Sequence, residues 1–155
     1  ETAFQMTSIL EGVVQRGTAK KLKDLNLNIA GKTGTTNKNT DTWFIGFTSN
    51  VVVGVYVGFD NPRSLGKFET GARTALPIFK EFIKKTIKKG DARPFKVAKN
   101  IKMMVVDPAT GKKANFGSKK TIIEVYKKET IEKNFYNDID SLNRRLTKNK
   151  ILKFY

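Results

Sequence analysis

The sequence contains no cysteine and no histidine, and only five serines. Without cysteine, neither a disulfide framework nor a thiolate metal site can form. Without histidine as well, the usual ligands of a zinc site are missing, so we predict no metal and no cofactor. The sequence does not indicate the redox compartment, because a chain without thiols is compatible with an oxidising or a reducing one.

Long hydrophobic runs are missing too. No stretch approaches the ~18 consecutive apolar residues of a membrane-spanning helix, and no charged-then-apolar leader opens the chain. The chain begins at Glu1 rather than at a methionine. We therefore expect a processed, truncated or excised piece, so that any anchor or targeting segment could have been lost with the missing front.

Acidic residues are scarce, since 14 Asp and Glu stand against 30 Lys and Arg and the formal net charge is +16. Such a charge attracts nucleic acid, anionic lipid or anionic wall polymer through its long-range field, without selecting among them. The basic residues are mostly lysines spread over the whole length, rather than arginines interleaved with aromatics. We therefore expect no specific nucleic-acid face, because scattered charge is typical of a solvated surface.

The apolar periodicity and the turn residues predict helices and strands, with two of the strands in a hairpin. The predicted elements are, in order, a helix over 2–16, strands over 42–48 and 51–59 joined by a hairpin turn, a helix after Thr74, and a strand over 101–106. We expect Gly17 to end the first helix in a left-handed turn and the Thr74 side chain to cap the second. From Thr121 onward the pattern predicts helical or weakly ordered chain.

The stretch Gly31-Lys32-Thr33-Gly34-Thr35 gathers small and hydroxyl residues around one lysine. A phosphate loop, G-x-x-x-x-G-K-[ST], is disfavoured because its first glycine position is Asn26 and no helix follows the motif. The alternative is an edge strand beside a cleft. Lys32 would supply an ammonium, Thr33 and Thr35 would point hydroxyls to one face, and Gly34 would let a substrate backbone approach. A carboxylate fits such a site, although K-T-G alone is a weak signal.

The neighbouring motifs sharpen this interpretation. The runs SILEGVVQRGTAKKL, AGKTGTTN, DTWFIGFT, VVVGVYVGFDNPRSLG and TGARTALPIFKEFI resemble, in order and spacing, the last third of the transpeptidase domain of class A penicillin-binding proteins. These proteins are the bifunctional peptidoglycan synthases of the bacterial envelope, and K-T-G belongs to their signature with S-x-x-K and S-D-N. The resemblance covers roughly residues 1–111 and weakens through TIIEVYKKET.

This resemblance implies an α+β fragment of the serine β-lactamase/transpeptidase-like fold, with antiparallel strands and packed helices. Residues 1–111 would be the C-terminal portion of the transpeptidase domain, and residues 112–155 a weakly ordered or helical C-terminal extension. Trp43 and Phe44 would support the sheet. One departure is visible, because the family has a second glycine after Thr70-Gly71 and this chain has Ala72-Arg73.

The resemblance also implies a role for each residue of the motif. Lys32 would be catalytic, through the electrostatics of the proton-transfer network. The hydroxyls of Thr33 and Thr35 would bind the terminal carboxylate of a D-Ala-D-Ala stem peptide or of a β-lactam, beside Gly34. The backbone N–H of Thr35 would donate to the oxyanion of the tetrahedral intermediate.

The family's nucleophile motifs do not occur ahead of Lys32. Ser64-Leu65-Gly66-Lys67 spells S-x-x-K and Ser141-Leu142-Asn143 spells S-x-N. With five serines and 24 lysines in 155 residues, about one chance S-x-x-K match is expected. Ser64 also lies in a Pro/Gly loop, whereas a nucleophile should begin a helix that holds serine and lysine one turn apart. We interpret both matches as decoys and expect no nucleophile in this chain.

By resemblance, the reaction is acyl transfer in peptidoglycan cross-linking, at the periplasmic face of the inner membrane, and the isolated chain should not perform it. The implied partners are the D-Ala-D-Ala stem peptide, β-lactams and the missing N-terminal part of the synthase. The alternative is a non-catalytic basic module that binds anionic wall polymer or nucleic acid.

Overall fold

The computed structural model of the chain describes residues 1–88 and 93–131. Its contacts divide the chain into two compact units, one of residues Thr2–Val97 and a second that begins at Ala98. We call them the sheet unit and the hairpin unit. Neither α-helix in the described residues has the length and apolar character needed to cross a bilayer.

The sheet unit is built on three consecutive antiparallel strands, which lie in chain order in the sheet. They are β1 (Ala30–Thr35), β2 (Asp41–Phe47) and β3 (Val52–Gly58). Side chains alternate between the faces of a strand, and in β2 the buried positions are Thr42, Phe44 and Gly46. We call the face that carries Phe44 the inner face and the opposite one the outer face. The antiparallel hairpin predicted from the β-branched and aromatic runs is confirmed, and each of its strands is shifted by one residue at most.

Two helices flank these strands in the chain. They are α1 (Thr2–Arg16), confirmed at both predicted ends, and α2 (Ala75–Thr86), while a short 3-10 helix spans Lys20–Leu25. The Phe44 ring packs edge-on against Phe79 of α2, with 4.7 Å between ring centroids. The buried core cluster around them comprises Val14, Ala19, Leu22, Ile29, Ala75, Leu76 and Ile83. The helices therefore cover the inner face around Phe44.

At two predicted helix ends, the conformation or hydrogen bond that we predicted is wrong. Gly17 does not have a positive φ, and its N–H donates to Val13 at 3.1 Å in the ordinary helical pattern. Thr74 precedes α2 but makes no side-chain cap. Its hydroxyl instead donates to the Thr70 carbonyl at 2.9 Å and meets the buried Thr42 hydroxyl at 2.6 Å. The Thr74 hydroxyl therefore bonds to a tertiary partner on the sheet, whereas its local propensity predicts a bond to the first turn of α2.

The hairpin unit contains β4 (Ile101–Val106), as predicted, paired antiparallel with β5 (Ile122–Lys127). The prediction of helical or weakly ordered chain from Thr121 is wrong for 122–127. That segment is rich in β-branched residues, and Val125 becomes buried opposite Met103. The boundary expected at residue 111 falls between the two paired strands. Residues 132–155, with the Ser141-Leu142-Asn143 match, lie outside the described part.

Candidate active site

The predicted motif forms β1, an edge strand that pairs with β2 and with no other described strand. The Thr36 N–H donates to the Asp41 carbonyl at 3.1 Å, which makes Thr36 and Asp41 a hydrogen-bonded pair. Opposed residues in an antiparallel ladder alternate between bonded and non-bonded pairs. Counting back from Thr36, the backbone N–H and C=O groups of Thr35 and Thr33 therefore point away from β2. They face the open edge of the sheet.

Lys32 sends its ammonium to the same edge. Its side chain leaves β1 on the outer face, opposite Ile45, and is exposed. The Nζ atom then turns back and donates to the Thr33 carbonyl at 2.9 Å. Because that carbonyl points away from β2, the cation lies along the open edge, beside the direction in which the Thr35 N–H is aimed.

The two threonine hydroxyls share the inner face, as the sequence predicted. The Thr33 hydroxyl meets the Thr18 hydroxyl at 3.2 Å. The Thr35 Oγ1 accepts a hydrogen bond from the Gly71 N–H at 3.1 Å. Since that bond uses a lone pair, the proton of the Thr35 hydroxyl stays available to an incoming anion. The motif alone could not indicate these two partners, because both come from loops outside it.

Gly71 lies so close to β1 that only a glycine fits. A Cβ atom at this position would stand 2.4 Å from the Trp43 carbonyl oxygen and 2.7 Å from that of Gly34. The following Ala72-Arg73, where the family has a second glycine, needs no special backbone, since neither residue has a positive φ. The Arg73 N–H donates to the Thr70 carbonyl at 2.8 Å, which starts the turn that leads into α2. The predicted departure therefore leaves the loop in ordinary geometry.

The Ser64 match to a nucleophile motif lies in an exposed loop rather than on a helix. Its hydroxyl accepts the Gly66 N–H at 3.2 Å, and Gly66 itself has a φ of +133°. This arrangement cannot hold Ser64 and Lys67 one helical turn apart. In the described residues, no group of three His, Cys, Asp or Glu side chains is placed to hold a metal ion.

A polar network, which sequence reasoning missed, organises the turn that follows β1. The Thr36 Oγ1 accepts the backbone N–H groups of Thr40 and Asp41 at 3.1 and 3.0 Å. The Thr40 hydroxyl donates to one Asp41 oxygen at 2.9 Å, and the Tyr56 hydroxyl donates to the other at 2.8 Å. This network fixes the turn at the end of the motif strand.

A K-T-G strand at an open sheet edge belongs to the signature of one class of proteins, the penicillin-binding proteins and serine β-lactamases. A family model described as the penicillin-binding protein transpeptidase domain matches residues 1–84. The chain belongs to this family, as the C-terminal part of the transpeptidase domain of a class A penicillin-binding protein.

Its relatives agree with this assignment. Penicillin-binding protein 1A of Rickettsia bellii is 45% identical over 88% of this chain, and that of Pseudomonas aeruginosa is 39% identical over 83%. The chain spans 18% and 16% of these two relatives. The crystal structure of penicillin-binding protein 1A from Haemophilus influenzae superposes with a TM-score of 0.70, at 30% identity, over 80% of this chain and 20% of the other.

The similarity extends further than the residues that first suggested it. An alignment over 88% of the chain is longer than residues 1–111 can supply, so it includes residues beyond 111. The α+β transpeptidase fold is confirmed, and the alternative of a separate basic module is not favoured.

Proposed function

We propose that this chain forms the carboxylate-binding and oxyanion-stabilising side of a D,D-transpeptidase that cross-links peptidoglycan stem peptides. One observation carries the proposal. The Lys32 ammonium and the Thr35 N–H lie at the same open edge of β1, where no described strand competes for them. An amide donor and a cation at one edge that no described strand pairs with suit an anion that develops during reaction.

Each residue has a distinct part in the proposed acyl transfer. A serine contributed by the preceding part of the domain attacks the penultimate D-Ala carbonyl, forms an acyl-enzyme and releases the terminal D-Ala. An amine of a neighbouring stem peptide then takes the acyl group and regenerates the serine. The Thr35 N–H donates to the oxyanion in both steps, a kind of contact worth roughly 3–4 kcal/mol. The hydroxyls of Thr33 and Thr35 hold the terminal carboxylate, and Lys32 favours the anionic forms.

The same geometry would also bind β-lactams, because their ring carboxylate and strained carbonyl would use the same donors. A member of this family is an enzyme of the bacterial cell envelope. We assign the site to the periplasmic face of the inner membrane, where stem peptides are joined. The stem peptide and the preceding part of the synthase are the partners that this proposal requires.

The test uses a chimera in which residues 1–131 replace the matching residues of the Rickettsia bellii relative. We expect a fluorescent penicillin to label the chimera covalently and to leave the isolated chain unlabelled. Replacing Thr35 by Val should slow labelling by about 10- to 100-fold, since a hydrogen bond to a charged group contributes about 1.5–3 kcal/mol.

The matched control is the pair Lys84→Ala and Lys85→Ala on α2, which removes two exposed charges away from β1. Labelling should be unchanged in that variant. Equal sensitivity to the α2 lysines would contradict the assignment of the carboxylate site. Labelling of the isolated chain that disappears in Ser64→Ala would show that the S-x-x-K match is not a decoy.

A further inference from the structure

Asn39 joins the turn after β1 to a second loop of the sheet unit. Its side-chain amide donates to the carbonyls of Gly66 and Lys67, both at 3.0 Å. Its own carbonyl accepts the Leu65 N–H at 2.8 Å, and its N–H donates to Thr36 at 2.9 Å. Four hydrogen bonds therefore meet at one residue. Its φ of +53° is one that asparagine tolerates better than most side chains.

The loop that Asn39 holds ends at the proposed site. It runs from Leu65 to Gly71, and the Glu69 N–H bonds back to the Gly66 carbonyl at 3.2 Å. At its far end, the Gly71 N–H donates to the Thr35 Oγ1 at 3.1 Å. One end is thus fixed to Asn39 and the other to the hydroxyl proposed to bind the carboxylate. The 65–71 loop therefore connects the turn that follows β1 to the Thr35 hydroxyl.

The bond from Gly71 restricts the directions in which the Thr35 hydroxyl can donate. While the Gly71 N–H occupies one lone pair of Oγ1, the hydroxyl proton points away from Gly71 and is available to an approaching anion. If the loop withdraws, the hydroxyl can rotate and lose that orientation. We propose that Asn39 is a positioning residue of the transpeptidase site, which fixes the 65–71 loop and so orients the Thr35 hydroxyl toward the substrate carboxylate. This inference rests on the function proposed for Thr35.

The test compares two asparagines with the same φ. Asn39→Gly removes the two amide donors but keeps the left-handed conformation free of strain. Asn26 has the same φ of +53° at the end of the 3-10 helix, so Asn26→Gly is the matched control. Asn39→Asp is a second variant, which keeps the shape of the side chain but sets a carboxylate against two carbonyls.

The first measurement is amide hydrogen exchange in the full 155-residue chain. Exchange at Gly71 should accelerate in Asn39→Gly and Asn39→Asp relative to exchange at Val55 in the centre of β3, and it should stay unchanged in Asn26→Gly. The ratio of the exchange rate at Gly71 to that at Val55 distinguishes local release of the loop from global destabilisation. An unchanged ratio in both Asn39 variants would overturn the positioning role.

The second measurement is penicillin labelling of the chimera. Asn39→Gly should slow it about tenfold, as expected when a binding group is misplaced by a fraction of an ångström. Adding it to Thr35→Val should slow labelling no further, because both changes act through one hydroxyl. Additive losses would overturn the inference. A Thr35→Val variant with normal labelling would instead remove the proposed function, whatever the exchange at Gly71.

Discussion

At the scale of single residues, Tyr56 reports on the end of the motif strand. Its hydroxyl donates to the Asp41 carboxylate at 2.8 Å, and this hydrogen bond stabilises the protonated form of the phenol. The bond to Asp41 raises the pKa of Tyr56 above its ordinary value of 10.0, and desolvation and the negative charges of Asp41 and Asp60 act in the same direction. A phenol with a raised pKa stabilises the folded chain below the unfolded pKa. That contribution is lost as the pH rises through the folded value.

We therefore expect an ultraviolet absorbance titration to contain a late step from Tyr56, at a pH above the ordinary tyrosine pKa of 10.0. Tyr56→Phe should remove that late step and thereby assign it. Asp41→Asn should move the step down toward the ordinary value, because the charge and the acceptor are both weakened. A late step that persists at the same pH in Asp41→Asn would show that Asp41 is not its cause.

The residues of the motif also show what a sequence can predict about such a site. Positions two apart on a strand must share a face, so the common side of Thr33 and Thr35 followed from the pattern alone. The contact of Thr35 with Gly71 did not, because it joins positions 36 residues apart. The bonds of Asn39 were missed for the same reason. Their only local signal was an asparagine in a turn, which predicts a left-handed residue without naming its partners.

At the scale of elements, α2 stabilises the sheet unit through one face. Phe79 is fully buried and packs on Phe44, whereas Phe82, three residues further on, is 46% exposed. Phe79→Ala should lower the free energy of unfolding by about 3–5 kcal/mol, since it removes a buried ring and leaves a cavity. Urea denaturation followed by circular dichroism measures this change.

Phe82→Ala is the matched control, because it makes the same substitution on the same helix. Its effect should be at most about 1 kcal/mol, as a half-exposed ring loses less buried area. Similar losses in both variants would mean that α2 does not present the Phe79 face to the sheet.

The elements differ in how well their sequences define them. α1 and β4 were predicted at both ends, because α1 carries apolar residues at helical spacing and β4 is a short apolar run that ends at the Asp107-Pro108 turn. β5 was missed, because IIEVYK lies between lysine-rich stretches and its stability depends on pairing with β4. Thr74 shows the complementary error. Threonine is a residue type that often caps helices, but the Thr74 hydroxyl bonds to the buried Thr42 hydroxyl of β2 instead.

At the scale of the whole molecule, the outer face of the sheet has little cover. Its exposed apolar side chains are Trp43, Ile45, Val52 and Tyr56, with exposed fractions between 42% and 71%. Contiguous apolar surface of this kind marks an interaction site. We expect the isolated chain to self-associate, which sedimentation velocity can measure over a range of concentrations.

The substitution Ile45→Lys should shift that association toward monomer, because it places a charge in the centre of the outer face. Ile78→Lys is the control, since Ile78 of α2 is equally exposed, at 52% against 50% for Ile45. A cooperatively unfolding monomer without either substitution would contradict the expectation. It would favour a chain that folds as an independent module.

The contact between Thr35 and Gly71 has a consequence for the order in which the structure opens. β1 and β2 are joined by the short turn 36–40, whereas this contact closes the longer segment 59–71 that leaves β3 when the strands are already paired. Each doubling of loop length adds about 0.6 kcal/mol of closure entropy, so the longer segment costs roughly 0.8 kcal/mol more. When the chain is warmed, the loop should therefore detach while the three strands remain paired. The anion-binding edge would then lose its orientation at temperatures where the protein still counts as folded.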